Sequence, residues 1–172
     1  MIVIIFGVAG VGKTTIGELL VQELGWKFYD GDDFHPPANI DKMQRGEALT
    51  DEDRQPWLKS LRKAIERSLA VNENAVLACS ALKKKYRERL RVGAEVKFVF
   101  LHGSRARIAE QLKHRRGHFM DPALLDSQFA DLEESEPSEN VITVEIGGSA
   151  LPGWPVRCQD WPRYCSSTYA RQ

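Results

Sequence analysis

Residues Gly7-Val8-Ala9-Gly10-Val11-Gly12-Lys13-Thr14 read G-x-x-x-x-G-K-T and follow directly on the apolar run Ile2 to Phe6. No other feature constrains the fold as tightly. A buried strand has to deliver the backbone to one point, where glycines let successive N–H groups curl around an anion without Cβ clashes. A helix opening at Lys13 then turns its unpaired N–H groups and the positive end of its dipole on the same anion. The loop Gly7, Val8, Ala9, Gly10, Val11, Gly12, with Lys13, Thr14 and Thr15 at the helix start, is therefore expected to cradle the phosphates of ATP. Lys13 is the candidate catalytic cation for the β- and γ-phosphates, and the Thr14 hydroxyl is a candidate Mg²⁺ ligand.

The order of elements extends this start. Ile16, Leu19, Leu20 and Leu24 recur at helical spacing and Gly25 stands where a C-cap belongs, which predicts a helix from Lys13 to Leu24. Trp26 to Tyr29 has strand character and runs into Asp30, Asp32 and Asp33. Those carboxylates therefore lie at a strand's C-terminal end, the edge where open α/β sheets bind ligands. If the chain stays extended there, Asp30 and Asp32 share a side and Asp33 turns away. A loop with His35-Pro36-Pro37 and a short polar helix around Lys42 to Arg45 come next. Thr50 with Asp53 three residues on marks the start of a helix whose core face is Trp57, Leu58, Leu61, Ile65 and Leu69; Pro56 suits only its first turn or a break.

Ala75 to Cys79 is apolar throughout, as a central strand covered on both faces should be. The basic helical segment Lys83 to Arg91, a strand Val96 to Leu101, a helix Arg105 to Arg115, a helix from Pro122 and a strand Val141 to Ile146 follow. Five strands alternating with helices predict an α/β fold, a three-layer α/β/α sandwich on a five-stranded parallel sheet. Residues 1–146 read as one domain. Residues 147–172 hold Pro152, Pro155 and Pro162 and no helical period, so an irregular tail is expected there.

Composition narrows the partners. The 172 residues carry 24 basic and 24 acidic side chains, so no global field draws the chain to nucleic acid or a membrane surface. The basic residues also lack interleaved aromatics for base stacking. No stretch approaches a membrane span and the N-terminal run does not fit a signal peptide, so a cytoplasmic protein is expected. Cys79, Cys158 and Cys165 match neither zinc-ligand nor C-x-x-C spacing and are expected as thiols.

Four ordered blocks carry a more specific likeness. Phe28 to Pro36 (FYDGDDFHP), Gly46 to Leu58 (GEALTDEDRQPWL), Cys79 to Arg87 (CSALKKKYR) and Arg116 to Met120 (RGHFM) resemble the gluconokinases of the thermoresistant, shikimate-kinase-like type. The likeness spans about Ile2 to Ile146. It implies a phosphate-loop kinase fold, like that of shikimate and nucleoside monophosphate kinases, with a lid at about residues 113–121. It also implies ATP- and Mg²⁺-dependent phosphorylation of D-gluconate at its 6-hydroxyl. Gluconate is a small polyhydroxylated anion, so its site needs carboxylates to accept from hydroxyls and cations for its own carboxylate.

On that basis Asp32 is the candidate for orienting or deprotonating the acceptor hydroxyl. Asp30 is placed beside Thr14 at the metal, and His35, Arg54, Lys83, Lys84, Arg87 and His118 are placed at the substrate. Arg116 of the lid is the candidate for stabilising transferred charge and contacting ATP. The residues leave open a kinase for another small hydroxy acid, such as shikimate, and a nucleotide-binding protein without turnover. A homodimer is also left open.

Overall fold

The computed structural model describes residues 1–114 and 122–146. Its five strands are β1 (Ile2–Phe6), β2 (Lys27–Asp30), β3 (Ala75–Cys79), β4 (Val96–His102) and β5 (Val141–Glu145). They form one parallel sheet in the order β2-β3-β1-β4-β5. The helices between them are α1 (Lys13–Leu24), α2 (Pro37–Gln44), α3 (Asp51–Ala70), α4 (Lys84–Leu90), α5 (Arg105–His114) and α6 (Pro122–Asp131).

Alternation along the strands divides the core into two layers. Ile2, Ile4 and Phe6 of β1 point to one face with Leu77 of β3 and Phe98 of β4, where Trp57, Leu58, Leu61 and Ile65 of α3 and Tyr86 and Leu90 of α4 cover them. Val3 and Ile5 point to the other face with Val76 and Val99, under Leu20 of α1, Ile108 of α5 and Leu125 of α6. Helices thus lie on both faces, as the uniformly apolar strands require. In register, Phe6 lies beside Cys79 on one side and Phe100 on the other. The C-terminal ends of β1 and β3 therefore finish level, β4 runs two residues further to His102, and the loops that leave all three share one edge. Because β1 sends its connection to β2, past β3, the gap between β1 and β3 is a point where the winding direction reverses and ligands lodge.

Two local departures from the sequence reading have simple causes. Pro56 neither starts nor breaks a helix: α3 runs through it from a Thr50/Asp53 capping box. The lost N–H would have served the carbonyl of Glu52, and both residues lie on the exposed side of the helix. Gly31–Phe34 is a 3₁₀ turn rather than extended chain, because the Asp30 carboxylate caps it by accepting from the Asp32 N–H. In this turn Asp32 and Asp33 are not separated by strand alternation; both are exposed. The segments 115–121 and 147–172, with the expected lid core and tail, lie outside the described residues.

Candidate active site

The phosphate loop leaves β1 with three glycines at positive φ: Gly7 at 147°, Gly10 at 80° and Gly12 at 96°. At Gly7 a Cβ would sit 2.5 Å from the Leu101 carbonyl oxygen, and at Gly10 it would meet the Leu112 side chain at 2.6 Å, so both positions exclude larger residues. Gly12 is the N-cap of α1 and offers no side-chain cap, so the helix's first amides face the loop's concavity. Val8 and Val11 are buried beneath the loop, Ala9 is half-buried, and Thr15 is exposed on the first turn of α1. Lys13 Nζ donates to the Val8 carbonyl at 3.0 Å, folding the ammonium back across the loop.

The acidic end of β2 meets this loop. Thr14 Oγ1 donates to Asp30 Oδ2 at 3.4 Å, which puts two oxygen ligands side by side at the phosphate cradle. Among the described residues no three His, Cys, Asp or Glu converge on a point that would hold a metal. The Thr14–Asp30 pair therefore suits a divalent cation whose remaining ligands come from phosphate and water, the usual preference of Mg²⁺. Gly31 follows, pressed so close to β3 that a Cβ would lie 2.6 Å from that of Cys79. Its carbonyl accepts from Trp57 Nε1 at 2.7 Å. Trp57 in turn stacks on His35, with ring centroids 4.7 Å apart and planes 3° from parallel. Burial, reinforced by the neighbouring Arg54 charge, lowers the His35 pKa to about 4, so the ring is neutral near pH 7. The Cys79 thiol, buried beneath the same turn, is pushed up to about 12 by desolvation and stays protonated.

Arg54 and Lys83 come together from α3 and from the turn after β3. Arg54 Nη1 donates to the Tyr86 hydroxyl at 3.2 Å and to Asp131 Oδ2 at 3.0 Å. Lys83 Nζ lies 3.0 Å from Asp51 Oδ1 and 3.1 Å from Asp131 Oδ1. Hydrogen bonds from Lys85, Tyr86 and Lys83 hold the Asp51 carboxyl well below its ordinary range. Burial opposes the Lys83 charge, yet Asp51 and Asp131 raise its pKa on balance. The result is a compact cation pair with its carboxylates already in place.

Two expected substrate ligands are placed elsewhere. Lys84 Nζ bonds Glu136 at 2.9 Å on the surface, while its backbone N–H donates to Glu133. Arg87 is fully buried: Nε and Nη2 form a paired bond to the Glu139 carboxylate at 2.6 and 2.8 Å, and Nη1 donates to the carbonyls of Leu82 and Glu133. With its donors engaged inside the protein, Arg87 shapes the turn after β3, where Ala81 has φ 33°, rather than offering a charge to a ligand. Arg116 and His118 lie outside the described residues.

Asp51, Tyr86, Asp131 and Gln128 join the site without having been singled out from the sequence. Gln128 Oε1 accepts from the Ala9 N–H at 2.7 Å. Gln128 and Asp131 are three residues apart on α6, about 4.5 Å along a helix axis. One turn of α6 therefore touches both the phosphate loop and the Arg54–Lys83 cations, which sets those two halves beside each other.

The chain is similar to known kinases. The shikimate kinase family model matches residues 9–140. The thermosensitive gluconokinase of Escherichia coli is 46% identical over 145 residues, covering 83% of this chain and 78% of that protein. The crystal structure of a gluconokinase from Sinorhizobium meliloti superposes with a TM-score of 0.74 at 39% identity, covering 98% of this chain and 91% of the other. A sugar kinase from a Janibacter species gives a TM-score of 0.80 at 38% identity, covering 96% of this chain and 92% of its own.

Proposed function

We infer that this chain, which belongs to the shikimate kinase family and within it to the gluconokinases, transfers the γ-phosphoryl group of ATP to the 6-hydroxyl of D-gluconate. The observation that carries the reading is the single turn of α6 that binds the phosphate loop through Gln128 and the Arg54–Lys83 pair through Asp131. A glycine loop beside a pair of cations supports transfer between ATP and an acidic acceptor, which requires a polyphosphate cradle next to a carboxylate receptor.

In this reading Lys13 keeps one N–H on the Val8 carbonyl and turns its other two to the β- and γ-phosphates, and Arg54 with Lys83 takes the acceptor's carboxylate. Asp32, exposed at the same sheet edge, orients the acceptor hydroxyl and receives its proton as the bond from phosphorus to that oxygen forms and the bond to the β–γ bridging oxygen breaks. The His35 imidazole, neutral and stacked on Trp57, is suited to hydrogen bonding with hydroxyls rather than to pairing with charge. Mg²⁺, held by Thr14 and Asp30 together with the phosphates, would neutralise charge on the β- and γ-oxygens. Because phosphoryl transfer passes through a loose transition state, positioning and electrostatic stabilisation matter more than proton removal. Arg116 belongs in this scheme as the cation added over the transferred group.

The test is coupled ADP release with ATP and a panel of acids. Turnover with gluconate, and little with shikimate or with no acceptor, is the expected result. ADP release that ignores gluconate, or a preference for shikimate, would refute the assignment.

A further inference from the structure

The peptide group joining Val8 to Ala9 is held at both ends. Its carbonyl accepts from Lys13 Nζ at 3.0 Å, and its N–H donates to Gln128 Oε1 at 2.7 Å, across 119 residues of chain. Leu125, three residues before Gln128, and Phe129, directly after it, seat α6 in the apolar layer that contains Val8 and Val11. The glutamine is thus delivered to the loop by a packed helix.

A peptide unit is planar, so holding both its N–H and its C=O removes its freedom to rotate. Donation from the N–H also polarises the group and makes its carbonyl a better acceptor for the lysine. Without the glutamine, a half-buried amide loses its partner and the plane is free to turn, carrying with it the oxygen on which Lys13 rests.

We propose that Gln128 is a positioning residue for phosphoryl transfer, acting on Lys13 through the Val8–Ala9 peptide. The proposal rests on the kinase reading above. It explains why a neutral, acceptor-bearing side chain stands at a loop otherwise built to attract anions: it orients the peptide without competing for the phosphates.

Gln128→Met keeps the length and apolar stem and removes the acceptor. Its kcat/KM for ATP should fall about tenfold, the scale of one lost hydrogen bond that leaves a shielded amide unpaired. The KM for gluconate should stay within about twofold. Amide hydrogen exchange at Ala9, followed without nucleotide, should accelerate in Gln128→Met and stay slow in Gln128→Glu, whose carboxylate still accepts. Unchanged ATP parameters, a gluconate KM raised as much as kcat/KM for ATP falls, or unaltered exchange at Ala9 would overturn the proposal. A wild-type protein that turns over no gluconate would refute the kinase reading but leave the exchange result to be judged on its own.

Discussion

Arg54 is the residue whose environment most clearly points beyond structure. Its guanidinium is nearly buried between Tyr86 and Asp131, at 11% side-chain exposure, and its bonds to both use the same terminal nitrogen. The edge formed by Nε and the other terminal nitrogen matches a carboxylate. Arg54→Ala should therefore raise the gluconate KM by about 10–100-fold, the equivalent of a lost charge-assisted hydrogen bond, and leave the ATP KM nearly constant. Steady-state kinetics with each substrate varied in turn would check this; a change confined to ATP would move Arg54 out of the acceptor site. His35 gives a second prediction at this scale. Its pKa of about 4 lies below the ordinary value of 6.5, so protonation favours the unfolded chain. The stability it contributes is complete above pH 6.5 and is lost as pH falls from 6.5 through about 4. The full shift would be worth about 3 kcal/mol, but the half-buried ring is partly screened by solvent, leaving about 1–2 kcal/mol. Urea unfolding at pH 7.5 and pH 4.5 should show the wild type losing that much more than His35→Gln; equal losses would contradict it. The loop residues were legible because their chemistry is local, eight consecutive positions acting through backbone and one lysine. Asp131 was not, since its partners are 77 and 48 residues away and no short-range pattern marks it.

At the scale of elements, α4 shows where a basic stretch misleads. Lys83 to Arg91 reads as one cationic run, but the helix sorts it: Tyr86, Arg87 and Leu90 face inward and the others face out or toward the site. The signal was present in the spacing, because Arg87 lies three residues before Leu90 and next to Tyr86, on the apolar stripe. What the spacing could not supply was Glu139, the partner that makes burial of a guanidinium tolerable. Arg87→Met should cost about 3–5 kcal/mol, as expected when one member of a buried ion pair is left behind. In a Glu139→Gln background the same change should cost at least about 1 kcal/mol less, since the stranded charge is gone. Chemical denaturation of the four proteins measures the difference, and strict additivity would show that the pair is not coupled. The turn at Gly31–Phe34 teaches the complementary lesson. Strand character was read correctly up to Tyr29, but the Asp30 side chain ends the strand by capping a 3₁₀ turn, a competition between side chain and backbone that residue propensities do not rank.

At the scale of the whole molecule, the fold followed from the sequence because each level agreed: an apolar β1, a glycine loop, and helices whose apolar faces match the two sides of the sheet. That agreement makes the loop an end point of a fully buried strand, with every residue of β1 inside the core and the strand paired with β3 on one side and β4 on the other. A ligand seated on the loop is therefore anchored to the centre of the sheet, and unfolding must release it. Binding to the native state alone adds RT ln(1 + [L]/Kd), about 2.7 kcal/mol at one hundred times Kd. For a chain of this size that corresponds to a rise in Tm of about 5–10 °C. In the proposed mechanism Lys13 serves the ligand and not the core, and its bond to Val8 is made at the partly exposed edge of the loop. Lys13→Ala should melt within a few degrees of the wild type when no nucleotide is present. It should lose most of the shift with Mg·ATP and release no ADP in response to gluconate. Thermal melts with and without nucleotide, run beside the coupled assay, separate the outcomes. A variant that keeps both the shift and the turnover would remove the phosphate loop from the mechanism. One that melts far lower without ligand would show that Lys13 supports the sheet rather than the reaction.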